Sequence, residues 1–327
     1  MKIAFLYEHP TWSDTLIAAF DHRGVALTLR NIAELSFDAD ATDKPFDAAI
    51  NRINVMPSAE REPQIVFQTL HYLNWLELAG VRVINGARAH FIGASKAMQN
   101  GIFSALGMAH PRAVAIYRPA DALAVADSIG YPVIIKPNIG GSGSGIARYN
   151  TRAELAETIR FGALDLGVDR SGLVQQYIES DGYVYRVEVL GDQLFYSIRQ
   201  PINERIFNYC AADRCVTASP SENGDDTFNF CVHGRDRIEA FSPSESIVAE
   251  VIKIVRHCGA DLGGVEYLID PNTDAPCFYD FNPYSNFVSN GEALLGFSPE
   301  NRYIDFILES LGTAQDAMPI GLTKLVD

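Results

Sequence analysis

Residues 138–145, NIGGSGSG, follow directly on Lys136-Pro137 and precede a short run, IARY. Glycines at Gly140, Gly141 and Gly143 let backbone N–H groups approach phosphate oxygens closely, and Ser142 adds a hydroxyl donor. The segment is not a Walker loop, because GxxxxGK[ST] is absent, and it is not a dinucleotide fingerprint, because it returns to a strand instead of opening a helix. A flexible hairpin tip is the competing reading. Lys136 shifts the balance toward phosphate. It occupies a buried strand pattern, YPVIIKP (131–137), where a lysine is costly unless its ammonium meets an anion. Lys96, just inside a helix start, is a second candidate, with a plain exposed lysine as the alternative.

An acidic group comes next. Glu266 lies mid-strand in GVEYLID (264–270), and Asp280 and Asn282 stand two apart in PCFYDFN (276–282). Residues i and i+2 of a strand share a face, so adjacent strands would gather all of these side chains into one oxygen-rich cluster. Hard oxygen ligands beside phosphate suit Mg²⁺, or Mn²⁺ in its place. A solvated sheet face is the alternative, but these strands are otherwise apolar. Arg186 and Arg199 sit in a pair of strands and could reach anions or serve as ordinary sheet-surface residues. Cys210, Cys215, Cys231 and His233 have no tight CxxC pair, which argues against a zinc site.

These residues need a scaffold. Apolar runs at 2–7, 25–30, 46–50 and 81–84 read as strands, with helices capped at Asp14 and over 60–79. That alternation predicts a parallel, doubly wound α/β domain over 1–93. Ser95 is an N-cap for a helix over 96–106 that Gly107 stops. Strands at 113–116, 131–137, 146–149 and 173–178 are expected around helices at 119–129 and 151–166. Strands 183–190 and 193–199 are joined by Gly191-Asp192, a hairpin signal. Residues 200–242 read as a long loop with short strands, with 203–228 an insertion that would face a substrate. Ser242-Pro243 opens a helix, and a last helix covers 299–311.

The chain has 327 residues and a net charge of −15. That charge argues against binding nucleic-acid backbones or anionic membranes. Hydrophobic residues make up 47%, enough for a sizeable core. No apolar run approaches the roughly 20 residues a bilayer requires. The start, MKIAFLYEHP, reads as a first strand and not a signal-peptide core. Five scattered cysteines fit reduced thiols and a cytoplasmic location.

Taken in order, SK (95–96), YPVIIKP with GGSGSG, LVQQYIE (173–179), the strand pair with Arg186 and Arg199, GVEYLID and YDFNP (279–283) resemble the ATP-grasp superfamily. The likeness is to its ribosomal-protein glutamate-ligase and glutathione-synthetase types, over roughly residues 85–310. The resemblance implies an N-terminal α/β domain followed by a two-subdomain ATP-grasp fold, with nucleotide held between two antiparallel sheets. The subdomains would span 94–178, including a lid at about 110–175, and 179–327. It also implies an ATP- and Mg²⁺-dependent carboxylate–amine ligase acting through an acyl phosphate. Its substrates would be an amine and a small-molecule or peptide carboxylate. A phosphotransferase and a non-catalytic ATP-binding regulator stay open beside it, and a homodimer is the default assembly.

Carried across residue by residue, the resemblance places Lys96 and Lys136 on the ATP phosphates. The segment Gln175, Gln176, Tyr177 and Ile178 would read adenine, with Glu179 near the ribose. Arg199 would stabilise the transferred phosphoryl group, with Arg186 beside it, and Glu266, Asp280 and Asn282 would hold the metal. The family commonly has Asp and then Glu-x-Asn at the metal positions, the reverse of Glu266 and Asp280-x-Asn282 here. Tyr284, Ser285 and Asn286 would border the acyl-acceptor site. Ser13, Asp14 and Arg52 follow N-terminal strands, where open α/β sheets bind ligands, although surface or capping roles compete.

Overall fold

The computed structural model describes residues 1–9, 11–55, 62, 64–141, 143–202, 238–284 and 287–316. The first unit is a parallel sheet in the order β2-β1-β3-β4, built from β1 (Ile3–Tyr7), β2 (Leu27–Asn31), β3 (Ala48–Asn51) and β4 (Arg82–Ile84). The IAFLY run of β1 is continuous because both faces of the strand are covered. Ile3 and Phe5 face one core with Leu16 and Phe20 of α1 (Asp14–His22). Ala4 and Leu6 face another with Leu73 and Leu76 of α2 (Ile65–Leu78). Each large side chain taken fully out of water contributes about 2–3 kcal/mol before entropy is counted.

Two expectations change here. The helix expected over 60–79 runs from Ile65 to Leu78, and residues 60 and 61 lie outside the described residues. A further helix, α3 (Ala87–Ala94), has no amphipathic signature, because Ala87, Ala89, His90, Ile92, Gly93 and Ala94 are all buried. The N-cap at Ser95 is present: its Oγ accepts from the Met98 amide at 3.3 Å and opens α4 (Lys96–Ala105).

The second sheet is antiparallel, in the order β5-β8-β6-β7, from β5 (Ala113–Ile116), β6 (Val133–Pro137), β7 (Ala147–Tyr149) and β8 (Gly172–Gln176). Helices α5 (Ala122–Ile129) and α6 (Arg152–Arg160) share a separate core with it, centred on Ile116, Val133, Ile135, Leu155 and Val174. The α6 pattern was expected to reach about residue 166. It stops at Arg160 because Gly162, at φ +67°, turns the chain back, and the Ala163 amide bonds the Thr158 carbonyl.

The third sheet, β11-β10-β9-β12-β13, is also antiparallel. It comprises β9 (Tyr183–Leu190), β10 (Gln193–Pro201), β11 (Glu239–Ala240), β12 (Leu262–Ile269) and β13 (Pro276–Asn282). Gly191-Asp192 joins β9 to β10 as expected. One face of the sheet packs on Val251, Ile254 and Val255 of α7 (Glu245–His257). That helix is capped by Ser244, whose Oγ accepts from the Ile247 amide at 3.4 Å, and not by the Ser242-Pro243 pair. Short α8 (Gly291–Leu295) precedes α9 (Pro299–Asp316). Tyr303, Ile304 and Ile307 of α9 fill the core that Ile3, Phe5 and Leu262 also enter, which binds the first and third sheets together.

Candidate active site

Strand β6 ends at Lys136-Pro137, and β7 returns antiparallel to it, so the glycine segment is the tip of a hairpin. Gly143 and Gly145 adopt φ +74° and +70°, and the Ile146 amide bonds the Gly143 carbonyl at 3.2 Å. A Cβ at Gly145 would stand 2.7 Å from Pro137 Cγ, so this glycine is needed for packing as well as for its turn. Gly140 and Gly141 lie at the start of the tip, and Ser142 lies outside the described residues. Asn138, which sequence reasoning passed over, fastens the hairpin to α4. Its Oδ1 accepts from Ser95 Oγ and the Ala97 amide, and its carbonyl accepts from the Lys96 amide at 3.2 Å.

That fastening brings two lysines into one place. Lys136 is 4% exposed and Lys96 is 7% exposed. Burial, with the nearby Lys96 charge adding to it, pushes the Lys136 ammonium down to about 7, while Asp280 and Glu266 pull the other way. Lys96 Nζ donates to Asp280 Oδ1 at 2.5 Å. Two cations and two carboxylates therefore converge below the glycine tip.

The third sheet supplies the carboxylates. Register pairs Glu266 with Asp280 and Gly264 with Asn282, so all three expected oxygen donors share one face. Burial pushes the Glu266 carboxyl above its usual range; Arg186 pulls it down and Asp280 pushes it further up. Tyr279, extruded by a register shift in β13, donates to Glu266 Oε2 at 2.8 Å. Arg186 donates to Glu188 Oε1 at 2.7 Å and lies 3.5 Å from Glu266. Burial disfavours its charge, yet Glu188 and Glu266 outweigh burial and hold its pKa above the ordinary arginine value. Glu188 is fully buried, and a Cβ at Gly264 would stand 2.5 Å from Glu188 Oε1. Glu188 was missed in the sequence, although a lone acid in the apolar YVYRVEVL strand was its signal.

Among the described residues, no group of three or more His, Cys, Asp or Glu side chains converges as a metal nest. The donor set nonetheless fits a hard divalent cation. It offers two carboxylates and a carboxamide on one face, next to two buried atoms with no hydrogen-bond partner, Glu188 Oε2 and Arg186 Nη2.

Two expected site residues stand elsewhere. Arg199 points to the opposite face from Arg186 and Glu266. A two-residue hairpin extended without interruption would bring Arg199 to the Arg186 face. Instead the register shifts between Leu194 and Tyr196, so that Arg199 pairs with Tyr185 and Ile198 with Arg186. Arg199 then sits over the Tyr183 ring at 4.6 Å and bonds Glu239 at 2.8 Å. Tyr284 is 1% exposed, its hydroxyl shared between Asn51 Nδ2 at 2.7 Å and His90 Nδ1 at 3.1 Å, so it is an interior joint between β3 and α3. In the β8 exit, the Gln176 and Tyr177 amides are already bonded to the Arg112 and Pro132 carbonyls, so they are not donors for a base. Gln175 is buried with its Oε1 unbonded, the Tyr177 ring lies under Arg148 at 3.9 Å, Ile178 is half-buried and Glu179 is exposed. Ser285 and Asn286, the 203–228 insertion, Cys210, Cys215, Cys231 and His233 lie outside the described residues. Cys258 and Cys277 are free and buried, and burial raises their thiols to about 12 and about 11.

A sequence model of "Carbamoyl-phosphate synthase L chain, ATP binding domain" matches residues 98–198. The chain is similar to the carbamoyl phosphate synthase large chain of Archaeoglobus fulgidus, 26% identical over 292 residues that cover 79% of this chain and 24% of that protein. It is also similar to the D-alanine–D-alanine ligase of Halorhodospira halophila, 29% identical over 192 residues, 56% of this chain and 58% of that one. The match thus spans about a quarter and somewhat over half of these relatives' lengths. Among solved structures, a RimK domain ATP-grasp protein from Sphaerobacter thermophilus superposes with a TM-score of 0.64 at 19% identity, covering 94% of this chain and 100% of that one. The ATP-grasp ligase PsnB, complexed with a phosphomimetic variant of its minimal precursor, Mg and ADP, gives 0.63 at 15% identity, covering 94% and 98%. A parallel N-terminal sheet followed by two antiparallel sheets is the architecture that these solved structures share with the chain, which therefore has the ATP-grasp fold.

Proposed function

We propose that the chain is an ATP-dependent, ADP-forming carboxylate–amine ligase. The observation that carries this reading is the convergence of Lys96 and Lys136 with Glu266 and Asp280 at the foot of the glycine hairpin. Lys96 has Asp280 as a partner, but burial still disfavours the Lys136 ammonium, which a further anion would stabilise, and a triphosphate is such an anion. In the reaction a substrate carboxylate oxygen attacks the γ-phosphorus and ADP leaves. The amine then attacks the acyl carbon, its proton is lost and inorganic phosphate leaves, so an amide remains. Lys136 and Lys96 neutralise the phosphoryl oxygens, and the glycine hairpin covers them with backbone N–H groups. Glu266, Asp280 and Asn282 would hold Mg²⁺, which would supply charge neutralisation for the phosphates when bound. Arg186, braced by Glu188, fixes Glu266 in place.

The test is ADP release from Mg²⁺-ATP with pooled carboxylates, with and without pooled amines, with hydroxylamine present as a trap. The expected result is carboxylate-dependent ADP with a hydroxamate detected by mass spectrometry. A stable phosphorylated product formed without any amine would make the chain a phosphotransferase. ATP binding with no ADP from any pool would make it a regulator.

A further inference from the structure

The open face of the second sheet carries two buried polar atoms that the fold leaves unpaired. Val133, Ile135, Tyr149 and Val174 turn to the core under α5 and α6, so the residues between them turn the other way. On that other face the register sets Ile134 of β6 between Arg148 of β7 and Gln175 of β8, in one row. Lys136 shares the face two residues further along β6, about 7 Å nearer the glycine tip. A nucleotide held by its phosphates at Lys136 and the tip lays its base away from the tip. Along β6 that direction leads over Ile134, which is half-buried and offers an apolar shelf to a flat ring.

The two ends of the row are polar. Gln175 is 6% exposed and its Oε1 accepts no hydrogen bond. Arg148 Nε is equally out of water and donates none. Buried polar atoms are nearly always paired, because an unpaired one is costly. The Arg148 guanidinium is held in place, since it lies on the Tyr177 ring at 3.9 Å.

The adjoining segment offers a base less. The Gln176 and Tyr177 amides bond the Arg112 and Pro132 carbonyls at 2.8 and 3.3 Å. The Gln176 side chain is turned outward, where its Oε1 accepts from the Arg112 amide at 3.4 Å.

Resting on the ATP-dependent reading, we infer that Arg148 is a further nucleotide-binding residue and that side chains read the base across the Ile134 shelf. Arg148 donates to a ring nitrogen, and Gln175 Oε1 accepts from the 6-amino group. One donor and one acceptor at opposite ends of an apolar shelf match an aminopurine. A purine without the amino group would leave Gln175 Oε1 buried and unpaired.

The test titrates the full chain with three Mg²⁺-loaded probes and follows binding by calorimetry. They are ATP, purine riboside triphosphate, which lacks the 6-amino group, and tripolyphosphate, which lacks base and sugar. Wild type should bind ATP about tenfold or more tighter than purine riboside triphosphate. Arg148→Met should weaken both nucleotides by about tenfold and leave tripolyphosphate within about twofold. Arg148→Lys, which keeps a donor, should restore part of that loss. Gln175→Leu should weaken ATP alone and so erase the difference between the two nucleotides. That variant and the wild-type comparison keep the test decisive if Arg148→Met does not fold. Undiminished ATP affinity in folded Arg148→Met would overturn the inference. So would an equal loss for tripolyphosphate, as a phosphate-binding or merely structural arginine would give. A wild type that does not distinguish the two nucleotides would overturn it as well. A wild type that binds none of the three probes would instead strike the ATP-dependent reading itself.

Discussion

Lys136 shows how a single side chain carries a functional cost. Its ammonium is buried in the hairpin strand beside Lys96, an arrangement that favours the neutral form. Removing the amine should therefore help the empty protein and harm nucleotide binding. Lys136→Met is expected to melt no lower than wild type and to bind ATP at least about tenfold more weakly, from loss of a charge-assisted contact. A fluorescent-nucleotide titration beside a thermal melt checks both halves, and equal ATP affinity would remove Lys136 from the site. His90 has a different sensitivity. It is enclosed between the Val66 carbonyl and the Tyr284 hydroxyl, and burial lowers its pKa from 6.5 to about 4. The unfolded chain takes up a proton below pH 6.5 that the folded chain refuses until about pH 4. Its contribution is thus complete above pH 6.5 and is lost as pH falls through that window, to a total of about 3 kcal/mol. Urea denaturation from pH 7 to 4 should show a shallower decline for His90→Gln than for wild type. Parallel curves would show that His90 is not the group responsible.

At the scale of elements, one extra residue decides where an arginine points. Phe195 stands unpaired in the register between β9 and β10 and turns Arg199 away from Arg186. Arg199 becomes a partly exposed partner of Glu239, a kind of solvent-screened pair that contributes little to stability. Arg199→Ala should leave ATP affinity and single-turnover ADP release within about twofold of wild type. A loss of several orders of magnitude would mean that the strand pair shifts register on binding. The strands themselves were legible. Continuous apolar runs marked β1, β3 and β6, because burial on two faces imposes them, and alternation marked β9 and β10. The Glu266–Asp280–Asn282 face was also legible, since period-2 spacing and adjacency suffice for it. The bulge was not, because a slip of one residue leaves composition and periodicity almost unchanged while it inverts the faces. Helix α3 was hidden for another reason: six of its eight residues are buried, and the exposed ones include the apolar Phe91, so it carries no clear stripe. The interior bonding of Tyr284 was not legible, because its hydroxyl has partners on β3 and α3 that only the fold brings near.

Across the whole molecule, side chains acting on backbone reinforce the apolar core that joins the first and third sheets. Asn85, buried at φ +54°, is the densest of these joints. Its Oδ1 accepts from the Asp261 and Leu262 amides, and its Nδ2 donates to the Leu262 and Pro283 carbonyls, so one carboxamide clasps the start of β12 and the end of β13. Asp261 answers from the other side by accepting from the Asn85 amide and pairing with Arg82. The residue after Asn85 is glycine, Gly86. An asparagine before glycine is the pair in which the following amide nitrogen attacks the carboxamide with least hindrance, which converts it over time to aspartate. Here folding holds that carboxamide on β12 and β13 instead. The joint is therefore chemically durable while the sheets stay docked and perishable once they part. Each excursion to the open state exposes the clasp to a change it cannot reverse, since an aspartate would turn its oxygens on the Leu262 and Pro283 carbonyls. For this chain, shelf life and fold stability are read from the same residue.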